Sequence, residues 1–167
     1  INSDIGTNGH GTKVAGLIGA EADNGVGLCG MAGKYPLELI PVRVLGEDGN
    51  GKIADVVRGI YWAIDNGADI LNMSFGANMS YYPTALANAI RDARRQNVFS
   101  ICAGGNDTGY NSSTTYSGFY PADLQDAYPV LAGYYMSANI QSFSYCAKYS
   151  DVPGYDYVGH DGSSLLT

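Results

Sequence analysis

Two polar side chains stand where they could carry out acid–base and oxyanion chemistry. His10 lies between Gly9 and Gly11, directly before a segment with helical periodicity. A substrate can approach such a histidine closely, and an imidazole suits proton transfer to and from a nucleophile near neutral pH. Asn106 follows two glycines behind an apolar run, and its side-chain amide can donate a hydrogen bond to a developing oxyanion. Taken singly, each residue also has an ordinary interpretation, as an exposed loop histidine and a turn asparagine.

Alternating helices and buried strands are predicted to position these residues. Apolar residues at helical spacing predict helices directly after His10, over 54–66 and behind Pro83, and continuous apolar runs predict strands over 39–45, 70–74, 98–102 and 130–132. Helix and strand units with short connections join strands in parallel through right-handed crossovers. The sequence therefore predicts an α/β fold with a doubly wound, mostly parallel sheet and helices on both faces.

The predicted topology places both polar side chains at favourable positions. In open α/β sheets, functional groups collect beyond the carboxyl ends of the strands and at the adjoining helix starts. His10 begins a predicted helix, and Asn106 follows a predicted strand. Asn66 and Gly67 further predict a left-handed stop for the helix that precedes the 70–74 strand.

Composition limits the class of partner. The 167 residues, 46% of them hydrophobic and 15% charged, are enough for one compact domain. A net charge of −7 argues against nucleic acid or an anionic membrane surface as a partner, and no apolar run approaches membrane-spanning length. Cys29, Cys102 and Cys146 are odd in number and widely spaced, so we expect small buried hydrophobes rather than disulfides or metal ligands.

Several longer segments make a family resemblance specific. Three segments closely resemble the subtilisin-like serine proteases: Val42–Gly51, Gly59–Ile64 and Asp69–Gly76. Tyr120–Ala122 and Ser142–Ser144 match later landmarks, so the likeness extends over nearly the whole chain. The resemblance implies a subtilisin-like α/β catalytic domain, present here as a single partial domain over residues 1–167.

The resemblance also implies roles for the polar residues. His10 would be the general base of the catalytic triad, and Asn106 the side-chain donor of the oxyanion hole. The segment Ser74, Phe75 and Gly76 would pair with the substrate backbone as an added strand. The segment Ala103, Gly104 and Gly105 would line the pocket for the residue before the scissile bond.

The nucleophile is assigned by a degenerate motif. Gly162–Leu166 stands where the family has Gly-Thr-Ser-Met-Ala, behind Val152–Gly154 in place of Ala-Pro-Gly, and this makes Ser164 the nucleophile. The interval from Pro153 to Ser164 is short, and Leu166 stands where the family has a small residue. A serine beyond Thr167 is therefore the alternative nucleophile. His160 is interpreted as a surface residue, because paired serine and histidine are normally distant in sequence.

The triad aspartate is expected upstream of this chain. The family order is Asp, His, Ser, and Asp4 is too close to the histidine to serve, while Asp107–Gly109 is predicted to be a turn. We therefore expect the His-to-Ser portion of a serine endopeptidase domain, lacking the upstream aspartate strand and the C-terminal part and inactive alone. A peptide-binding pseudoprotease is the alternative; a dinucleotide-binding domain is disfavoured, because the usual glycine spacing fails.

The resemblance further implies partners and location. It implies a polypeptide substrate, a propeptide, and an extracellular or cell-surface location, although no signal peptide opens the chain; it implies no required cofactor. The loop 21–27 resembles, in shortened form, a family loop that binds calcium as a structural ion through backbone carbonyls and an asparagine oxygen. Its other interpretation is a turn closed by Asn24 and Gly25.

Overall fold

The computed structural model describes residues 9–105 and 118–130, which fall into two compact units divided after Ala68. The first unit contains the helices α1 (His10–Gly19) and α2 (Ile53–Asp65). The second contains the helix α3 (Thr84–Arg95) and the strands β1 (Ile70–Met73), β2 (Ala77–Asn78), β3 (Phe99–Ala103), β4 (Phe119–Tyr120) and β5 (Tyr128–Val130). Among the described residues, no helix has the length and apolar character needed to cross a bilayer.

The two helices of the first unit differ in burial. Every described side chain of α1 keeps some exposure, whereas α2 buries one complete face, formed by Val56, Ile60, Ala63 and Ile64. These four positions recur at the helical spacing that the sequence indicates, so the predicted helix over 54–66 is confirmed.

Both long helices end through the same backbone motif. Behind α2, the amide of Gly67 donates to Ile64 O at 3.0 Å, and the amide of Ala68 donates to Ala63 O at 3.1 Å. Gly67 has a φ of +82°, which confirms the predicted left-handed stop. Asn97, with a φ of +62°, closes α3 with the equivalent pair of bonds.

The second unit is built on a parallel sheet with strand order β1-β3-β5. Ile70 pairs with Phe99, and Ile101 with Tyr128, so the strands predicted over 70–74 and 98–102 are confirmed with small shifts at their ends. The strand predicted over 130–132 overlaps β5 at Val130. Residues 131 and 132 lie outside the described ranges. β2 and β4 form a separate antiparallel pair.

The core of the second unit lies between this sheet and α3, which packs on β3. Its members are apolar, and Ile90 has no exposed surface. They comprise Leu71, Met73, Leu86, Ala89, Ile90, Ala93, Val98 and Cys102. Ser100 is also buried, and its hydroxyl lacks a hydrogen-bond partner among the described residues.

Two expectations about the first unit are wrong. Residues 39–45 do not form a strand, because no strand in the described part of the chain pairs with them, and Leu39 and Val42 remain exposed. Cys29 is exposed rather than buried, because it lies in a loop outside any helix or strand. Cys102 is buried as expected, and Cys146 lies outside the described residues.

The loop over 21–27 has the geometry of a turn. Asn24 Oδ1 accepts a hydrogen bond from the amide of Val26 at 2.9 Å, and Gly25 has a φ of +71°. An asparagine side chain that accepts from the amide two residues ahead closes such a turn by itself. Calcium binding at this loop stays a prediction.

Candidate active site

His10 is the first residue of α1 and is half-buried. Gly9 precedes it with a φ of +70°, a left-handed conformation that an L side chain adopts at a cost, and its carbonyl accepts from Lys13 at 2.9 Å. A methyl group at Gly11 would meet no atom of residues 9–105 and 118–130 within 4 Å. Among these residues, Gly11 therefore leaves open space beside the histidine.

The segment Ser74–Gly76 connects β1 to β2 and belongs to neither strand. Asn72, on β1, donates from Nδ2 to the hydroxyl oxygen of Ser74 at 2.9 Å. This bond fixes the start of the segment where the chain leaves the parallel sheet. Ser74 and Phe75 are half-buried, and Gly76 is exposed.

The segment Ala103–Gly105 consists of the last residue of β3 and the two glycines that follow it. The amide of Gly104 donates to Val130 O at 2.8 Å, so the neighbouring strand β5 holds this end in place. Gly105 has a φ of +89°, which a glycine adopts without strain, and this conformation turns the chain directly before Asn106. Asn106 itself lies outside the described residues.

The ring of Phe119 lies between these two segments. A Cβ built on Gly76 would stand 2.3 Å from Phe119 Cε1 and 2.7 Å from Cζ. A Cβ built on Gly105 would stand 3.1 Å from Cε2 and 3.2 Å from Cδ2 of the same ring. Distances this short mean that the ring touches the backbone of both glycines.

Phe119 is a residue that the sequence analysis missed. Its neighbours Tyr120–Ala122 match a landmark of the family, whereas Phe119 itself comes beside Gly76 through the pairing of β4 with β2, in which Phe119 lies opposite Asn78. The available signal was weak: an aromatic residue beside a landmark, and a glycine ending each of two separate motifs.

A salt bridge and a ring contact hold β5 against α3. Arg94 Nε lies 3.5 Å from Asp126 Oδ1, and its guanidinium carbon lies 5.5 Å from the centre of the Tyr128 ring. Arg94 also donates a hydrogen bond to the Tyr128 hydroxyl. Since β5 in turn accepts from Gly104, these contacts support the position of the Ala103–Gly105 segment.

Some predicted residues are not brought together by the described structure. Ser74–Gly76 and Ala103–Gly105 meet at Phe119 within the second unit, whereas His10 belongs to the first unit. Asn106 and Ser164 lie outside the described residues, as do Asp4, Asp107–Gly109 and His160. Within residues 9–105 and 118–130, no three histidine, cysteine or acidic side chains converge as a metal site would require.

An open cleft of about 510 Å³ lies elsewhere, in the first unit. It runs between residues 42–46 and α2, where Arg58 pairs with Asp55 and Trp62 is half-exposed. None of the residues predicted to act in catalysis lines this cleft, so it is not assigned to the candidate site.

Comparison with known proteins identifies the family. The family model described as "Subtilase family" matches residues 2–159. Subtilisin BL of Lederbergia lenta is 35% identical over 172 aligned positions, which cover 96% of this chain and 59% of that protein. The thermophilic serine proteinase of Bacillus sp. (strain AK1) is 35% identical over 153 positions, 90% of this chain and 35% of that protein.

Solved structures give the same result. The structure titled "S41 Psychrophilic Protease" superposes with a TM-score of 0.65 and 32% identity, covering 86% of this chain and 45% of that one. A cold-adapted subtilisin-like serine proteinase superposes with a TM-score of 0.57 and 28% identity, covering 75% of this chain and 41% of that one. The chain thus spans about a third to three fifths of the length of these relatives. Its fold is an incomplete subtilisin-like α/β fold, and the chain belongs to the subtilase family.

Proposed function

We propose that the full protein is a serine endopeptidase of the subtilisin type and that this chain is inactive without the triad aspartate. One observation carries the proposal beyond family membership. The segments Ser74–Gly76 and Ala103–Gly105 leave neighbouring parallel strands at the same edge of the sheet, and both contact the ring of Phe119. Backbone segments at the carboxyl ends of neighbouring parallel strands suit the binding of an extended peptide.

The proposed reaction is acyl transfer through a serine. Ser164 Oγ attacks the carbonyl carbon of the scissile bond while His10 accepts its proton. Asn106 Nδ2 and a backbone amide donate to the oxyanion that develops on the former carbonyl oxygen. The carbon–nitrogen bond then breaks, and the leaving amine takes the proton from His10. Water, deprotonated by His10, attacks the acyl carbon of the ester. The bond from this carbon to Ser164 Oγ then breaks, and Oγ takes the proton from His10, which restores the serine hydroxyl.

The two segments have separate tasks in this proposal. The Ser74–Gly76 backbone lies outside the ladders of β1 and β2, and it pairs with the substrate as an added strand. Ala103–Gly105 lines the pocket for the residue before the scissile bond. The proposal includes polypeptide substrates, a propeptide, an extracellular or cell-surface location and calcium as a structural ion at the 21–27 loop.

The test is active-site labelling of the full-length protein with a fluorophosphonate probe, followed by peptide mapping. Label on Ser164, lost in Ser164→Ala and retained in the matched neighbour variant Ser163→Ala, supports the proposal. Label on a serine beyond Thr167 keeps the protease and overturns the assignment of Ser164. Absence of label on folded protein rejects the protease.

A second candidate is a peptide-binding protein without catalytic activity. It is favoured by one observation, the sequence Leu165-Leu166 where the family motif carries Met-Ala. Peptide binding that survives in the His10→Ala, Ser164→Ala double variant, with no turnover by the full-length protein, supports this candidate. Hydrolysis of peptide esters that depends on both side chains rejects it.

A further inference from the structure

We propose that Asn24 is a site of spontaneous modification, at which the backbone amide of Gly25 attacks the side-chain amide and releases ammonia. The product is aspartate or isoaspartate, and the reaction does not depend on the proposed function. Asparagine before glycine is open to this reaction, because glycine has no side chain to shield its amide nitrogen. The described part of the chain contains three such pairs: Asn24-Gly25, Asn50-Gly51 and Asn66-Gly67.

The direction of the asparagine side chain distinguishes the first pair. All three asparagines are exposed, so access to water does not separate them. Asn24 Oδ1 accepts from the amide of Val26 at 2.9 Å, so its side chain reaches forward over the Gly25 peptide. The hydrogen-bonded ring closed by this bond contains both Asn24 Cγ and Gly25 N. The two atoms that must join are therefore held in one turn.

The side chain of Asn50 is directed backward along the chain. Its Nδ2 donates to Asp48 Oδ2 at 3.0 Å, and its backbone amide donates to Asp48 Oδ1, also at 3.0 Å. The side chain must leave the carboxylate before its Cγ can meet the Gly51 nitrogen. The hydrogen bonds to Asp48 therefore slow the reaction at Asn50.

The third pair is protected on both reacting groups. Asn66 Nδ2 donates to Trp62 O at 2.8 Å, in the last turn of α2. The amide of Gly67, which would have to attack, donates to Ile64 O at 3.0 Å. Both bonds must break before Asn66 can react, so we expect this pair to be slow although it is exposed.

The Val26 amide also stabilises the charge that the reaction creates. Gly25 N loses its proton to water and bonds to Asn24 Cγ, and an electron pair moves onto Oδ1, where the Val26 amide already donates. The bond from Cγ to Nδ2 then breaks, and Nδ2 takes a proton and leaves as ammonia. Water opens the resulting cyclic imide. Attack at Cγ gives aspartate, and attack at the backbone carbonyl carbon gives isoaspartate.

Hydrogen bonds at the base of the loop keep the modification local. The amide of Gly30 donates to Ala20 O at 2.9 Å, and the amide of Ala22 donates to Gly33 O at 3.1 Å. Aspartate at position 24 keeps an oxygen that can accept as Oδ1 does, whereas isoaspartate lengthens the backbone by one carbon and disrupts the turn. Either product adds one negative charge at neutral pH.

The experiment follows the three asparagines by peptide mass spectrometry of the full-length protein in heavy-oxygen water at pH 8. Prior inhibition with a fluorophosphonate prevents self-digestion from contributing. In the folded protein, Asn24 is expected to convert at least about tenfold faster than Asn50 or Asn66. In protein unfolded by urea, the three rates should agree within about threefold, because the hydrogen bonds that distinguish the sites are lost.

Asp48→Ala tests whether side-chain direction is the cause. It removes both hydrogen bonds from Asn50 to the carboxylate and should accelerate conversion there by about three- to tenfold, with no change at Asn24. Glu47→Ala removes the neighbouring carboxylate as a matched control and should leave both rates unchanged. Equal rates at the three sites in folded protein overturn the inference, as does an excess at Asn24 that persists in urea. An Asn50 rate that Asp48→Ala leaves unchanged also overturns it.

Discussion

The two units fix their candidate functional residues by different means. In the first unit, His10 begins a helix with no buried side chain, and a positive-φ glycine sets its approach. In the second unit, Ala103–Gly105 continues a strand of a parallel ladder whose neighbouring helix includes residues without any exposed surface. A long-range ladder with a buried core sets position more firmly than a single helix end, because many contacts must break together before it moves.

Thiol reactivity is expected to show this contrast most strongly. Burial raises the pKa of Cys102 to about 12, so at pH 8 only about one thiol in ten thousand is ionised. Cys29 is exposed in the first unit. We expect iodoacetamide at pH 8 to modify Cys29 at least about a thousandfold faster than Cys102, measured by mass spectrometry of the peptides.

Cys29→Ser is the control for this measurement, and it should remove the fast modification without exposing Cys102. Comparable modification rates for Cys29 and Cys102 in folded protein would contradict the expectation that the core of the second unit opens rarely.

Core truncation is expected to have the next largest effect. Ile90→Ala removes a side chain of α3 that has no exposed surface and should lower the free energy of unfolding by about 2–5 kcal/mol. Leu17→Ala removes a half-buried side chain of α1 and should cost about 1 kcal/mol. Urea denaturation of the full-length variants measures both, and equal losses would show that the two helices are equally well packed.

Substitutions at the helix ends are expected to have the smallest effect on stability. They test whether the residues that end α2 and α3 are interchangeable between the two units. Gly67→Ala places a Cβ that meets no atom of the described part of the chain within 4 Å, at a φ of +82°, so its cost is conformational and should be about 1 kcal/mol. Gly67→Asn introduces asparagine, the residue type that adopts the left-handed conformation behind α3 at Asn97. It should lower the free energy of unfolding by about half as much as Gly67→Ala. Thermal melts compare the two, and an asparagine as costly as alanine would show that Asn97 depends on its own surroundings.

Much of the architecture could be predicted from the sequence because it depends on local periodicity. The spacing of Val56, Ile60 and Ile64 specifies one buried helix face, and Gly67 specifies the helix end. The run 39–45 shows the limit of this reasoning: an apolar run indicates a capacity to form a strand, but a strand also requires a partner that the local sequence does not identify.

The candidate site was predictable only in part, for a related reason. Motif similarity led to Ser74–Gly76 and Ala103–Gly105, and both segments lie at the carboxyl ends of strands. Phe119 could not be found in this way, because its contact with Gly76 arises from pairing between β2 and β4, which are far apart in the sequence. The roles of His10, Asn106 and Ser164 stay predictions.

The hydrogen bond from the Gly104 amide to Val130 O has a consequence for biosynthesis. The acceptor is translated 26 residues after the donor, which corresponds to about 1–5 s at ordinary rates of chain elongation. During that interval the carboxyl end of β3 has been synthesised, but β5, the strand that holds it, has not. The Ala103–Gly105 segment of the proposed substrate site is therefore held in place only after β5 has been made, so an emerging chain acquires this part of the site later than the strand that carries it.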